Sequence, residues 1–145
     1  MPLAIRDARD DDAADIARLL GQLGYPTAAD DVPPRLERLR IAGDRVVVAE
    51  LDGRVTGLAH LQVAPAIEYD GPAGKLGALV VDAACRGIGV GRALVDELES
   101  EARRRGCALF FLTTSERRDD AHAFYERLGL EHTGRRYGRL LKGPD

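Results

Sequence analysis

Two cysteines, two lysines and no apolar stretch of membrane length set the first limits on this 145-residue chain. Cys85 and Cys107 are too far apart for a metal knuckle or a Cys-x-x-Cys redox pair, so no metal site is expected and free thiols in a reducing compartment are. With only Lys75 and Lys142 available, a Gly-x-x-x-x-Gly-Lys-Ser/Thr phosphate loop cannot be built. The dinucleotide fingerprint Gly-x-Gly-x-x-Gly/Ala also fails, because its last place falls on Arg92 when counted from Gly87 and on Leu94 when counted from Gly89. The longest near-continuous apolar run, Cys107 to Leu112, cannot span a bilayer, and the stretch from Met1 to Asp7 has no signal-peptide core. A cytoplasmic protein without a membrane partner is the resulting expectation.

An excess of positive charge is lacking too. The formal net charge of −3 argues against nucleic acid as the main partner. Its distribution is uneven: residues 1–72 carry 8 basic and 13 acidic groups, net −5, and residues 73–145 carry 13 basic and 11 acidic groups, net +2. An anionic ligand held in the second half, with a cationic one admitted from the first, would suit that asymmetry. The length fits one domain, residues 1–145, with a real core but no separate substrate domain.

What the chain does have is Leu76-Gly-Ala-Leu-Val-Val-Asp82, then Arg86-Gly-Ile-Gly-Val-Gly91, then an amphipathic stretch stopped by Gly106. Val90, Leu94, Leu98 and Ala102 recur at i+4 in that stretch, which reads as a helix following a strand and a glycine turn. A helix start offers unpaired N–H groups and a positive dipole end, and glycines let the backbone close around an anion. Arg86 adds a permanent charge with planar donors suited to phosphate oxygens.

The remaining elements follow from turn and capping signals. Leu3–Arg6 reads as a strand, and Asp10-Asp-Asp12 offers caps to a helix with Ala13, Ile16, Ala17, Leu20 and Leu23 on one face, ended by Gly24-Tyr-Pro26. A second helix follows Pro33-Pro34 to about Ala42. Strands Arg45–Glu50 and Val55–Val63 flank the hairpin turn Asp52-Gly53. Residues 64–74 read as a loop. After the glycine turn and its helix come strand Cys107–Thr113, helix Asp119–Leu128, and two closing strands, Leu130–Thr133 and Arg136–Leu141. The order β-α-α-β-β-β-α-β-α-β-β predicts a mixed α/β (α+β) layer of about seven largely antiparallel strands with four helices.

That order, the Arg86–Gly91 turn and Phe124-Tyr-Glu-Arg-Leu-Gly-Leu130 together resemble the Gcn5-related N-acetyltransferase (GNAT) superfamily over nearly the whole chain. The resemblance implies acetyl-CoA as co-substrate. The backbone amides of Gly87, Ile88, Gly89, Val90, Gly91 and Arg92, with Arg86, would hold its pyrophosphate. Leu79, Val80 and Val81 would pair with the pantetheine arm, and Phe124 would lie against the cofactor. Tyr125 matches the tyrosine that serves as general acid. A phenol, with a pKa near 10, stays protonated at neutral pH and can donate to a departing thiolate. Ala121, Phe124, Tyr125 and Leu128 share one helix face, so packing is the competing role for Tyr125.

The amine side is less marked. A free amine with a pKa near 10.4 is only about 0.04% neutral at pH 7, a handicap of roughly 4.6 kcal/mol, so its proton must go somewhere. Many relatives place a Glu on the central strand, where this chain has Gly77 and Ala78; Glu68, Asp70, His60 or a water chain would have to substitute. Arg118 stands where many relatives have Asn, seven residues before Tyr125. It would contact the cofactor's phosphates, or a phosphonate or carboxylate on the acceptor. The stretch Arg117–Tyr125, with His60-Leu-Gln62, is most similar to the branch holding aminoalkylphosphonate and small-amine acetyltransferases. Tyr25, Glu68 and Tyr69 are the substrate-side candidates.

Neither Ser100 nor Ser115 sits in a nucleophile-elbow sequence, so direct attack on the thioester by a small primary amine is expected. Two alternatives stay open. One is acetylation of a protein N-terminus or lysine; the other is a catalytically degenerate CoA-binding regulatory module. Members of the superfamily are often dimers, and a homodimer is the matching expectation.

Overall fold

A computed structural model of the chain describes residues 2–113, 119–134 and 137–142. It divides into two units, residues 1–112 and 113–145. The first contains β1 (Leu3–Asp7), α1 (Ala13–Leu23), α2 (Val32–Ile41), β2 (Arg45–Leu51), β3 (Arg54–Ala64), β4 (Ala73–Val81), α3 (Val90–Arg104) and β5 (Leu109–Leu112). The second contains α4 (Asp119–Arg127).

The strands form one sheet in the order β1-β2-β3-β4-β5, antiparallel throughout except for the parallel pair β4 and β5. That pair is joined through α3, as a parallel crossover requires. The two-residue turn between β2 and β3 puts Asp52 and Gly53 at positive φ, the conformation that matches the twist of a hairpin.

Alternation along the strands feeds two cores. On one sheet face Val48, Val55, Leu58 and Val80 meet Ile16, Ala17 and Leu19 of α1 and Val32 and Leu36 of α2. Leu19 is fully buried although the heptad-like spacing pointed instead to Leu20 and Leu23, which pack only partly against the cluster; the apolar face of α1 is wider than that spacing implied. On the opposite face α3 buries Val90, Leu94, Val95, Leu98 and Ala102, each Val or Leu being worth about 1.5–3 kcal/mol. The close approach of α3 depends on Gly57, where an added Cβ would come within 2.9 Å of Leu94 Cδ1 and 3.0 Å of Val90 Cγ1.

Asp12 does not cap α1 with its side chain. Its carboxylate reaches back, accepting from the Arg9 N–H at 2.8 Å and from both terminal nitrogens of Arg6 at 2.8 and 2.9 Å. The Arg6 hydrogen bonds, helped by the Arg9 amide, hold this buried carboxyl below the usual aspartate range. Arg6 also binds Glu50 at 2.8 Å, which ties β1, β2 and the start of α1 together.

Several expected boundaries move. β4 begins at Ala73, inside the segment expected to be loop, because Ala73–Leu76 pairs with Leu109–Leu112. β5 is four residues long instead of running Cys107–Thr113. Neither closing strand is present among the described residues, so the sheet has five strands where about seven were expected. Residues 130–134 and 137–140 take no strand conformation, and Arg136 lies outside the described residues. Leu130 is the only aliphatic residue in the first of these segments, too little to give a strand a buried face. In the second unit, Gly129 at positive φ and the Leu130 N–H on the Tyr125 carbonyl at 3.1 Å end α4.

Gly57→Val should destabilise the protein by about 2 kcal/mol through overpacking under α3, read as a lower urea midpoint at unchanged slope. Asp12→Asn should cost about 2 kcal/mol at neutral pH. Because the folded-state pKa of Asp12 is depressed, the stabilisation is present above the unfolded value near 3.9 and is lost as pH falls below it. Urea midpoints of wild type and variant should therefore converge below about pH 4.

Candidate active site

The site is organised by one irregular strand. β4 is paired with β3 along its length, but its pairing with β5 stops at Leu76 opposite Leu112. From Gly77 to Val81 the other edge of β4 has no strand partner among the described residues. Register places Leu58 opposite Val80 and His60 opposite Gly77, so Ala59 alone faces both Ala78 and Leu79. This is a β-bulge, and Ala78 sits in it at φ +46°, a conformation a non-glycine residue rarely adopts. The bulge reverses the alternation of the strand, so Leu76 faces the α3 layer with Leu61 while Val80 faces the α1 layer. An open row of N–H and C=O groups can add an extended amide chain as a further strand.

Beyond Val81 the chain turns toward α3. Asp82 Oδ1 accepts from the Ala84 N–H at 3.0 Å, and Gln22 of α1 accepts from the Ala83 N–H at 3.0 Å. Arg18 of α1 forms an ion pair with Asp82 and donates to the Val55 carbonyl at 3.0 Å. The Ala84 amide and then the Arg18 guanidinium hold the Asp82 carboxyl below its ordinary range. No spacing rule singled out Arg18 or Gln22; the signal for Asp82 was an aspartate at a strand end, where it caps the next turn.

The turn itself needs Gly87 and Gly89, which lie at φ +84° and +95° with open space around them. Gly89 starts α3 without a side-chain cap, and the first turn of the helix holds no acidic residue. The N–H groups of Val90, Gly91 and Arg92 precede the first residue able to bond within the helix, Ala93, whose N–H reaches the Gly89 carbonyl at 3.1 Å. Arg86 is exposed and its Nε lies 3.5 Å from the Val81 carbonyl. Open amides, a helix dipole and a guanidinium together can hold an anionic, phosphate-like group.

The other expected residues are placed as follows. Tyr25 is exposed just after α1, near the end of β4 that carries the glycine turn. Glu68 and Tyr69 are exposed in the loop that enters the opposite end of β4; at 3.3 Å per residue the strand separates its two ends by roughly 25 Å. Tyr25 thus follows α1 beside one end of β4, and Glu68 and Tyr69 precede its other end. Asp70 lies in the same loop as Glu68. His60 is mid-sheet, and its Nε2 is 2.8 Å from Asp44 Oδ2 at the head of β2. In the second unit Tyr125 is half-buried on α4, its ring edge-on to Phe124 with centroids 5.6 Å apart. Arg118 lies outside the described residues.

Comparison with known proteins agrees with this architecture. Residues 11–130 match the family described as Acetyltransferase (GNAT) family. Glucosamine 6-phosphate N-acetyltransferase of Trypanosoma brucei brucei is 32% identical over 133 residues, 88% of each chain. Aminoalkylphosphonate N-acetyltransferase of Salmonella typhimurium is 33% identical over 90 residues, 62% of this chain and 58% of that one. A crystal structure of a Trypanosoma brucei acetyltransferase superposes with a TM-score of 0.84 at 29% identity, covering 97% of this chain and 100% of that chain. Among the described residues no helix is long and apolar enough to cross a membrane. A family match over most of its length, on a fold with the open strand edge and glycine turn described above, makes this chain a member of the GNAT acetyltransferase family and an acetyl-CoA-dependent enzyme.

Proposed function

We propose that the enzyme acetylates a primary amine of a small molecule by direct attack, with Tyr125 as general acid. The observation that carries this reading is the unpaired edge of β4 leading into the open glycine turn at the start of α3. The two features suit the two ends of one ligand: an extended amide arm and a pyrophosphate. The residues present fit acetyl-CoA on that count, since Gly87 and Gly89 leave the turn open and no acidic side chain stands in the first turn of α3.

In this reading Gly87, Ile88, Gly89, Val90, Gly91 and Arg92 bind the pyrophosphate through their amides, and Arg86 supplies a charged contact. Leu79, Val80 and Val81 orient the pantetheine arm by backbone pairing. Bound acetyl-CoA supplies an activated thioester carbonyl. The N–H groups at the Ala78–Leu79 bulge outnumber the acceptors that Ala59 offers and are available to polarise that carbonyl. The Tyr125 hydroxyl gives its proton to the departing sulfur, and Phe124 packs edge-on to hold the ring.

For the acceptor, both named relatives act on an amine that also carries a phospho group, glucosamine 6-phosphate in one and an aminoalkylphosphonate in the other. Small amino-phosphates and aminophosphonates are therefore the first acceptors to assay. Tyr25 and the pair Glu68 and Tyr69 adjoin opposite ends of β4 and are the two candidate sets of acceptor contacts. Acceptor KM in Tyr25→Ala and in Glu68→Ala identifies which.

Titration calorimetry with acetyl-CoA should show 1:1 binding that weakens roughly 10- to 100-fold in Arg86→Ala. No binding to folded wild-type protein would reduce the glycine turn to a structural one. Tyr125→Phe should lower kcat about 100-fold while leaving the acetyl-CoA Kd unchanged. An unchanged kcat on the best acceptor would remove Tyr125 from the proton path.

A further inference from the structure

We infer that His60, oriented by Asp44, is the group that takes the proton from the acceptor amine. The inference rests on the acetyl-transfer reading above and assigns the part of the reaction that reading leaves without a residue. The amine must lose one proton to become nucleophilic and a second as its bond to carbon forms, so a proton acceptor belongs beside the reacting carbonyl.

His60 occupies that place by strand register. It is the cross-strand partner of Gly77, the residue immediately before the bulge formed by Ala78 and Leu79. A Cβ built on Gly77 would lie 3.4 Å from His60 Nδ1, so this ring nitrogen is directed at the part of β4 where pairing with β5 has ended. Glycine at 77 leaves it uncovered, and no hydrogen bond engages Nδ1 among the described residues.

The other ring nitrogen is fixed. Nε2 lies 2.8 Å from Asp44 Oδ2, and the Asp44 side chain is only 5% exposed. A carboxylate accepts and does not donate, so the nitrogen facing it carries the hydrogen. The lone pair of the neutral ring is then on Nδ1, the nitrogen beside Gly77. Once Nδ1 takes a proton, Asp44 stabilises the resulting imidazolium at short range, as a carboxylate behind a catalytic imidazole does. The other charged groups near the pair are Lys75, opposite Gln62 and two residues before Gly77 on β4, and Asp7, Arg40 and Arg45, which line a small cavity with Asp44. Glu68 and Asp70, the carboxylates that compete for the role, are on the exposed loop entering the far end of β4.

The proton balance closes. An ammonium group gives one proton to His60 Nδ1, which passes it to solvent. The amine nitrogen then bonds to the acetyl carbon as the carbon–sulfur bond breaks, and its second proton leaves by the same nitrogen. Tyr125 protonates the sulfur and is re-protonated from solvent. The sum is an amide, a free thiol and one proton released.

The test is the pH dependence of kcat/KM on an active acceptor in wild type, His60→Gln and Asp44→Asn, with acetyl-CoA affinity measured by calorimetry in each. Wild type should lose activity toward acid, because the imidazolium cannot accept a proton. His60→Gln should reduce kcat/KM at neutral pH by roughly 10²- to 10⁴-fold, abolish that acid limb and leave acetyl-CoA affinity unchanged. Asp44→Asn, which keeps the ring but removes the charge that stabilises its protonated form, should lower kcat/KM with acetyl-CoA affinity unchanged; it decides the matter if His60→Gln fails to fold. Added imidazole should restore part of the activity of His60→Ala. A His60→Gln enzyme within about 3-fold of wild type, or one with reduced activity but an unchanged pH profile and no imidazole rescue, overturns the proposal and leaves acetyl transfer standing. A wild-type protein that binds acetyl-CoA but acetylates no amine overturns both.

Discussion

Backbone hydrogen bonding along β4 is the constraint on which the rest of the structure depends. A central strand buried between two layers normally pairs on both edges, since unpaired N–H and C=O groups away from water are costly. β4 meets that demand on the β3 side except at the Ala78–Leu79 bulge, and on the β5 side, among the described residues, only as far as Leu76. The five-stranded sheet therefore carries its polar vacancy in a defined place, next to a helix start whose own amides are also unpaired. Two separate deficits of the backbone are brought side by side, and both suit one elongated ligand with amide and phosphate parts.

The surroundings hold that arrangement in register. α1 fixes the turn after β4 through Arg18 and Gln22, while α3 is pressed onto the sheet at Gly57. At the other edge Arg45 gathers Asp7 of β1 with Glu97 and Glu101 of α3. Exposed pairs of this kind add little each, but this guanidinium links three carboxylates from two elements and is itself three-quarters shielded.

Much of this was legible in the chain because it obeys local rules. The i+4 repeat from Val90 to Ala102 gave the buried face of α3, the Asp52-Gly53 pair gave the hairpin, and the glycines around Arg86 gave the turn. The failures have physical causes as well. Ala78 adopts positive φ without being a glycine or asparagine, so nothing in its identity announces the bulge. The Asp12 carboxylate is claimed by Arg6, a long-range choice that capping rules do not see. Strand pairing decides where β4 begins and β5 ends, and single-strand patterns carry no information about partners. The Asp44–His60 pair is of the same type: two residues 16 apart in sequence meet only through the β2–β3 register.

The reversal at Ala78–Leu79 also determines where this protein can tolerate a change of length. Leu76 and Val80 are an even number of residues apart yet serve opposite layers, which is possible only with one supernumerary residue between them. Deleting either Ala78 or Leu79 would restore simple parity and turn Val80 away from Ile16 and Leu58. Inserting a second residue would do the same. Indels should therefore be absent from this short span across evolutionary drift or directed libraries, while the solvent-facing segment 65–70, with no such parity to keep, can lengthen or shrink. The strand behaves as a reading frame, and the bulge is the one-letter shift that keeps everything after it in phase.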